Sequence, residues 1–233
     1  MTVLRRLYET YVTMLMSFLF LIANLIANVF QLRIFQKPSS RPSIGVTERE
    51  GQNIATVIIP SWNGRELLSI CLPHLEKAIK CYGRPLEVIV VDNGSTDNTA
   101  GFLTLNFPWV KTIKLARNMG FVRACNIGAR NATNKRLIML NNDMIVENGF
   151  VGPLLDSFKD ESVFAVTSQI FFQGEQRRRE ESGKTHGVFR FGFVWLGHSL
   201  KGTNRSSPVL YAGGGSTAYD RDKFLELGGF DEL

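Results

Sequence analysis

From Ile54 onward the chain alternates two hydrophobic patterns. Short strand-length segments rich in apolar residues occur at Ala55 to Ile59, Leu86 to Val91, Val110 to Leu115 and Arg136 to Leu140, with a fifth at Val163 to Ile170. Between them, apolar residues recur at helical spacing over Leu67 to Lys80, Asn98 to Leu105 and Phe121 to Ala132. A continuous apolar run of this length reads as a strand buried on both faces. Its repeated alternation with helical segments predicts an α/β domain: an open, mostly parallel, Rossmann-like sheet with helices on both faces.

A different pattern precedes it. Tyr11 to Phe30 carries no charged residue, and its length matches a hydrocarbon core of about 30 Å. It predicts one N-terminal transmembrane helix, within an anchor spanning residues 1–36. Asn24 and Asn28 lie one turn apart on it, either packing on another helix or tolerated as a polar pair. Residues 37–53, rich in Pro, Ser and charge, read as a linker, and the globular domain occupies residues 54–233. Arg33, Lys37, Arg41 and Arg49 outnumber Arg5 and Arg6, which predicts a cytoplasmic domain after the helix.

Polar residues gather where the strands end. Pro60, Ser61, Trp62 and Asn63 follow the first run, and Asp92 to Asp97 follow the second. Arg117, Asn118 and Gly120 follow the third; Asn141, Asn142 and Asp143 follow the fourth. Open parallel sheets bind ligands at the carboxyl ends of their strands, so four converging clusters predict one polar crevice there. A carboxylate at a strand end, such as Asp92, can accept a base N–H or simply cap its own turn. Asp97 reads as the cap of the next helix, and Trp62 as a base-stacking surface or a core aromatic.

Charge and cysteine content narrow the classes. The net charge of +6 includes only one basic run, Arg177-Arg178-Arg179, followed at once by two glutamates. That reads as a solvated loop and not as a nucleic-acid surface. Cys71, Cys81 and Cys125 lack metal-ligand spacing; Cys71 and Cys125 fall in apolar helical patterns and read as core. The first strand-to-helix turn, PSWNGREL, lacks the G-x-G-x-x-G of a dinucleotide fold, and no P-loop occurs. His74, His186 and His198 have no evident nucleophile beside them.

The strings VIIPSWNG, VIVVDNGSTDNT, ARNMGFVRACNIGA and LIMLNNDM, then YAGGGSTAYDRDKFLELGGFDE, resemble family-2 glycosyltransferases of GT-A fold over Ile54 to Leu233, in order and spacing. The Asn-x-Asp form of the metal motif looks like the rhamnosyltransferase-like branch. The resemblance implies an inverting enzyme that moves a sugar from a nucleoside-diphosphate donor to a hydroxyl of a glycan or polyprenyl-linked acceptor at a membrane. It places the donor against Pro60, Ser61, Trp62, Asn63, Asp92, Asn93, Ser95, Asn118, Gly120, Phe121, Asn126, Asn141 and Asn142. Asp92 would accept the N3–H of uracil or thymine, favouring UDP- or dTDP-sugars. Asp143 would hold Mg²⁺ or Mn²⁺, while Asn141 brings no charge. The run Gly213 to Gly215, with Ser216 and Thr217, either holds the acceptor or sugar close to backbone or only packs tightly. The Glu-Asp pair expected to carry the base comes after GGFDE in that branch, so the acceptor part is expected to be incomplete at Leu233. Asp231 and Glu232 are poor substitutes for the base. A chain that binds nucleotide sugars without turnover is the alternative.

Overall fold

The computed structural model describes residues 11–22, 54–175, 177, 179, 184–190, 193–199 and 206–232. They fall into two compact units. One holds residues 47–184 and 198–233, the other residues 1–46 and 185–197.

The larger unit begins with β1 (Thr56–Ser61), α1 (Arg65–Tyr82), β2 (Glu87–Asp92), α2 (Thr99–Asn106), β3 (Lys111–Lys114), α3 (Phe121–Asn131) and β4 (Arg136–Leu140). It continues through α4 (Val151–Asp156), a 3₁₀ turn at Ser157–Lys159, and β5 (Ala165–Thr167). After β6 (Lys184–Arg190) and β7 (Phe193–Ser199), β8 (Ser216–Asp220) and α5 (Arg221–Glu226) complete it. Six strands form a sheet of order β3-β2-β1-β4-β8-β5. The first four are parallel, as the alternation predicts. β8 inserts between β4 and β5, antiparallel to both, so the sheet is mixed at this edge.

β1 is buried on both faces, and its alternation divides the core. Val57 and Ile59 pack with Leu68, Leu72 and Leu75 of α1 on one side. Ile58 packs with Ala124, Cys125 and Ala129 of α3 on the other. The small residues of α3 let it lie close to the sheet: a Cβ at Gly128 would come within 2.4 Å of Ile58 Cγ2. Cys71 and Cys125 are core residues as expected, and burial pushes both thiols up to about 12; the Asp143 charge adds to the effect at Cys71.

Among the boundaries that differ from the sequence reading, three bear on the crevice and the sheet edge. Pro60 and Ser61 complete β1 instead of following it. Asp92 is the last residue of β2, not the first of a loop. The fifth strand is only Ala165–Thr167 and lies at the sheet edge.

Residues 11–22 are helical and exposed along their length. Among the described residues no helix is long and apolar enough to cross a membrane. Residues 23–30 of the expected span, with Asn24 and Asn28, and the expected linker at 37–53 lie outside the described residues.

Candidate functional site

The strand order reverses at β1: β2 and β3 lie on one side, β4 on the other. This is the switch point where open α/β sheets leave a crevice. The two strands part there for a local reason. Glu87 and Asn93 donate to Ala55 O and Ser61 O, so the odd-numbered residues of β1 bond toward β2 and the even-numbered ones face β4. Pro60 is even-numbered and has no N–H to give. The β1–β4 ladder stops at Ile58↔Met139, two residues before it. Beyond that point, Asn142 bridges the opening by donating Nδ2 to Ser61 Oγ at 2.9 Å.

Loops after β1 and β2 are clasped together. Asn63 N donates to Ser95 Oγ at 2.9 Å, and Thr96 N donates to Asn63 Oδ1 at 2.8 Å. Asn63 adopts the left-handed conformation, φ 49°, which Asn tolerates better than most residues. Asp97 accepts from Thr99 N and Arg65 N at 3.0 and 3.1 Å, starting α2 and α1 together. Burial opposes ionisation of Asp97 but these bonds outweigh it, so its carboxyl lies below the ordinary value. The capping role expected for it is the one observed.

Asn93 is buried and joins the third loop. Its Nδ2 donates to Asn118 Oδ1 at 3.0 Å and Gly120 O at 3.1 Å, and its Oδ1 accepts from Met119 N at 2.8 Å. Gly94 lets that loop approach. It has φ +75°, and a Cβ there would sit 2.3 Å from the Arg117 carbonyl carbon.

Within this frame two buried side-chain oxygens lack any protein partner: Asp92 Oδ2 and Asn141 Oδ1. They are the only such atoms among the described residues. Asp92 is 1% exposed, yet only its Oδ1 is used, accepting from Ser95 N at 2.9 Å. It therefore caps its turn with one carboxylate oxygen and leaves the other without a protein partner. Leaving such an oxygen buried and unbonded costs on the order of 1–3 kcal/mol or more. Trp62 and Phe121 are exposed at the strand and helix ends, 56% and 46%, so neither is a core aromatic.

The expected donor residues thus divide by role. Asp92, Asn141, Trp62 and Phe121 have atoms or faces to offer. Ser61, Asn63, Asn93, Ser95, Asn118 and Asn142 bond to one another, and Gly120 closes that frame. Pro60 is buried and shapes the opening. Asn126, which as an inward-facing amide in an apolar helix face needs a polar partner, has both its N–H groups bonded within the chain. Nδ2 donates to Phe230 O at 2.8 Å and Glu232 Oε1 at 2.9 Å, while Oδ1 accepts from Phe230 N at 2.9 Å. It anchors the GGFDE segment on α3. Glu232 belongs to the same anchor, paired with Arg123 at 3.1 Å and Arg130 at 3.8 Å. The Asn126 hydrogen bond is the largest influence on its carboxyl; desolvation opposes it, and Arg123 and Arg130 add to it, leaving the pKa below the ordinary value. This suits an ion pair and not a proton-abstracting base.

Asp143 is exposed and borders an open trough of about 2140 Å³ that also takes in Thr167, Ser168, Ile170, Tyr211 and Ser216. Asp92 does not line this trough. Gly215 packs against Met144, Ile170 and Asn141, whereas a Cβ at Gly214 would meet nothing within 4 Å. Ser216 and Thr217 bond within the sheet to partners that the sequence did not single out: Ser168 Oγ donates to Ser216 Oγ at 2.7 Å and Thr217 Oγ1 to Thr167 Oγ1 at 3.1 Å. No group of three His, Cys, Asp or Glu among the described residues could hold a metal alone. A cation such as Mg²⁺ or Mn²⁺ needs only one or two carboxylates when phosphates and water complete its shell. Asp143, with the unpartnered Asn141 oxygen in the same loop, fits a cation shared with a diphosphate.

The sequence pattern of glycosyl transferase family 2 matches residues 56–228. The chain belongs to that family. It is 30% identical over 194 residues to N-acetylgalactosaminyltransferase 6 of Drosophila melanogaster, covering 76% of this chain and 28% of that protein. It is 32% identical over 103 residues to undecaprenyl-phosphate 4-deoxy-4-formamido-L-arabinose transferase of Yersinia enterocolitica, covering 42% and 32%. The chain thus spans about a third or less of either relative. The mannosyltransferase PcManGT from Pyrobaculum calidifontis, solved with GDP-Man and Mn²⁺, superposes with a TM-score of 0.56 at 20% identity, covering 91% of this chain and 56% of that one. S. aureus TarS, solved with UDP, gives 0.54 at 17%, covering 77% and 50%. Both likenesses concern the fold, and they make this family-2 domain GT-A-like.

Proposed function

We propose that this family-2 domain binds a nucleoside-diphosphate sugar at the β1/β4 switch point and transfers the sugar, with inversion, to an acceptor hydroxyl. The observation that carries this reading is the buried, half-used carboxylate of Asp92. A base N–H supplies the missing partner of Oδ2. Uracil and thymine offer N3–H there, which favours UDP- or dTDP-sugars; guanine N1–H is a donor of the same kind. Trp62 and Phe121 give the base and ribose apolar surface. The diphosphate lies toward the β4 end, where Asp143 and Asn141 would hold a divalent cation, which neutralises the negative charge gathering on the leaving group. The trough beyond Asp143 takes the acceptor. Family membership and the names of relatives support a glycan or polyprenyl-linked acceptor at a membrane, and Asn141-Asn142-Asp143 supports the rhamnosyltransferase-like branch.

Calorimetry with UDP, dTDP, GDP and inorganic diphosphate, each with and without Mn²⁺, tests the donor half. Metal-dependent binding of a nucleoside diphosphate that Asp143→Ala weakens tenfold or more is expected, since bonds to charged groups contribute about 1.5–3 kcal/mol. Unchanged metal-dependent binding in that variant would remove Asp143 from the site.

Binding without turnover is the second reading. It is favoured by one observation, that Glu232 is tied up with Asn126, Arg123 and Arg130. A sugar-transfer assay on the chain that shows donor binding separates the two. For topology, we propose that residues 11–30 cross the membrane with the domain on the cytoplasmic side, where nucleotide sugars are made. A single cysteine at Ser40 should resist an impermeant thiol reagent in intact cells; labelling without permeabilisation would reverse the orientation.

A further inference from the structure

We infer that the β6–β7 hairpin is a membrane-interface anchor that inserts both of its faces into the headgroup–acyl boundary of a lipid bilayer. β6 and β7 form a two-stranded sheet of their own, apart from the six-stranded sheet. Along β7, Phe193, Val194, Trp195 and Leu196 are 69%, 60%, 66% and 62% exposed. Successive residues of a strand point to opposite faces, so Phe193 and Trp195 share one face, and Val194 and Leu196 the other. Val188 and Phe189 of β6 are exposed as well.

A hairpin in water keeps one face polar or lays one face on a core. This one does neither, and an isolated two-stranded hairpin has little stability of its own in water. A protein partner would cover one face of the ribbon and leave the other wet. A lipid medium reaches both. The depth follows from the backbone. A two-stranded ribbon has two open edges whose N–H and C=O groups need water or headgroups, so it cannot enter the hydrocarbon fully. A shallow position, with Trp195 at the interface where indole rings concentrate, satisfies both demands.

A second observation points to the same occupant. Residues 185–197 belong to one compact unit with the N-terminal segment. The helix at residues 11–22 has no charged side chain, and Met14, Met16, Phe18 and Leu21 are each 60% or more exposed. Two outward-facing apolar elements in one unit suit a single lipid surface. The inference does not depend on the donor reading, because no residue of the hairpin belongs to that site.

The test uses the full chain reconstituted in phosphatidylcholine–phosphatidylglycerol vesicles. Tryptophan emission is compared with acyl chains brominated near the headgroup and near the chain end. Shallow bromines should quench the wild-type chain more than deep ones, and Trp195→Phe should lose most of that quenching. The Val194→Ser/Leu196→Ser variant keeps Trp195 but wets the opposite face, and it should also lose quenching. Equal quenching in wild type and Trp195→Phe would overturn the inference. So would full retention in the double variant, which marks a one-faced contact, or deep bromines quenching best. UDP binding on the same variants checks the fold and is expected to stay unchanged.

Discussion

Asn142 Nδ2 and Ser61 Oγ, 2.9 Å apart, close the gap between the ends of β4 and β1 just where Pro60 has stopped the ladder. The contact is tight on all sides: a Cβ at Gly64 would fall 2.3 Å from both atoms. Asn142 thereby fixes the loop that also carries Asn141 and Asp143. Asn142→Leu keeps the bulk and loses the bond, so stability should fall by about 1 kcal/mol. Donor affinity should fall by up to about tenfold. Asn142→Asp can accept from the Ser61 hydroxyl and should retain most of both. Urea denaturation and calorimetry on the two variants check this; equal loss in both would deny the bond its role.

Asn126 holds the C-terminal segment through three bonds from one buried amide. Asn126→Ala should cost about 2–4 kcal/mol, at roughly 1 kcal/mol per bond plus the unsatisfied Phe230 groups. Glu232→Gln keeps the Asn126 bond and loses only the exposed ion pairs, so its effect should be much the smaller of the two. Chemical denaturation gives both values. A larger effect at Glu232 than at Asn126 would reverse the assignment of anchor and accessory.

Glu87 links the start of β1, the start of β2 and the turn before β4. Its Oε2 accepts from Thr56 Oγ1 at 2.6 Å, Thr133 N at 3.0 Å and Thr133 Oγ1 at 2.9 Å. Burial alone pushes its pKa up, but these bonds and Lys111 together bring it below the usual 4.5. A depressed folded pKa contributes stability above the unfolded value, lost as pH falls through the folded one. The stability gap between wild type and Glu87→Gln should be full at neutral pH and shrink as pH drops below 4.5. Denaturation midpoints against pH measure it, and a gap that does not narrow would contradict the assignment.

The parts of the fold legible in the sequence share one physical property. β1, β2 and β4 are buried on both faces, so composition alone marks them. β8 is equally buried but reads STAYD. Its Ser216 and Thr217 are satisfied by Ser168, Thr167 and Gly213, partners that no local pattern announces. The hairpin lacks the polar alternation that marks a strand in water. Asp92 and Asp97 stand in one turn of the sequence, yet one carboxylate is wholly engaged and the other half free. Only the placement of Ser95, Thr99 and Arg65 separates them. Asn126 shows the converse: it sits in a motif shared with the donor site, but its partners lie over a hundred residues away.

Donor recognition as proposed for this domain rests on Asp92 Oδ2 accepting a base N–H. Asp92→Asn can keep its oxygen on Ser95 N, and its amide N–H then faces N3–H of uracil, donor against donor. Cytosine presents an acceptor at N3, so the variant should tolerate it. Calorimetric dissociation constants for UDP, CDP and inorganic diphosphate, on wild type and Asp92→Asn, measure this directly. The expected result is a tenfold or greater loss for UDP, at about 1.4 kcal/mol per decade, with little change for diphosphate and a narrowed gap between UDP and CDP. An equal loss for all three ligands, or an unchanged preference for UDP over CDP, would contradict it.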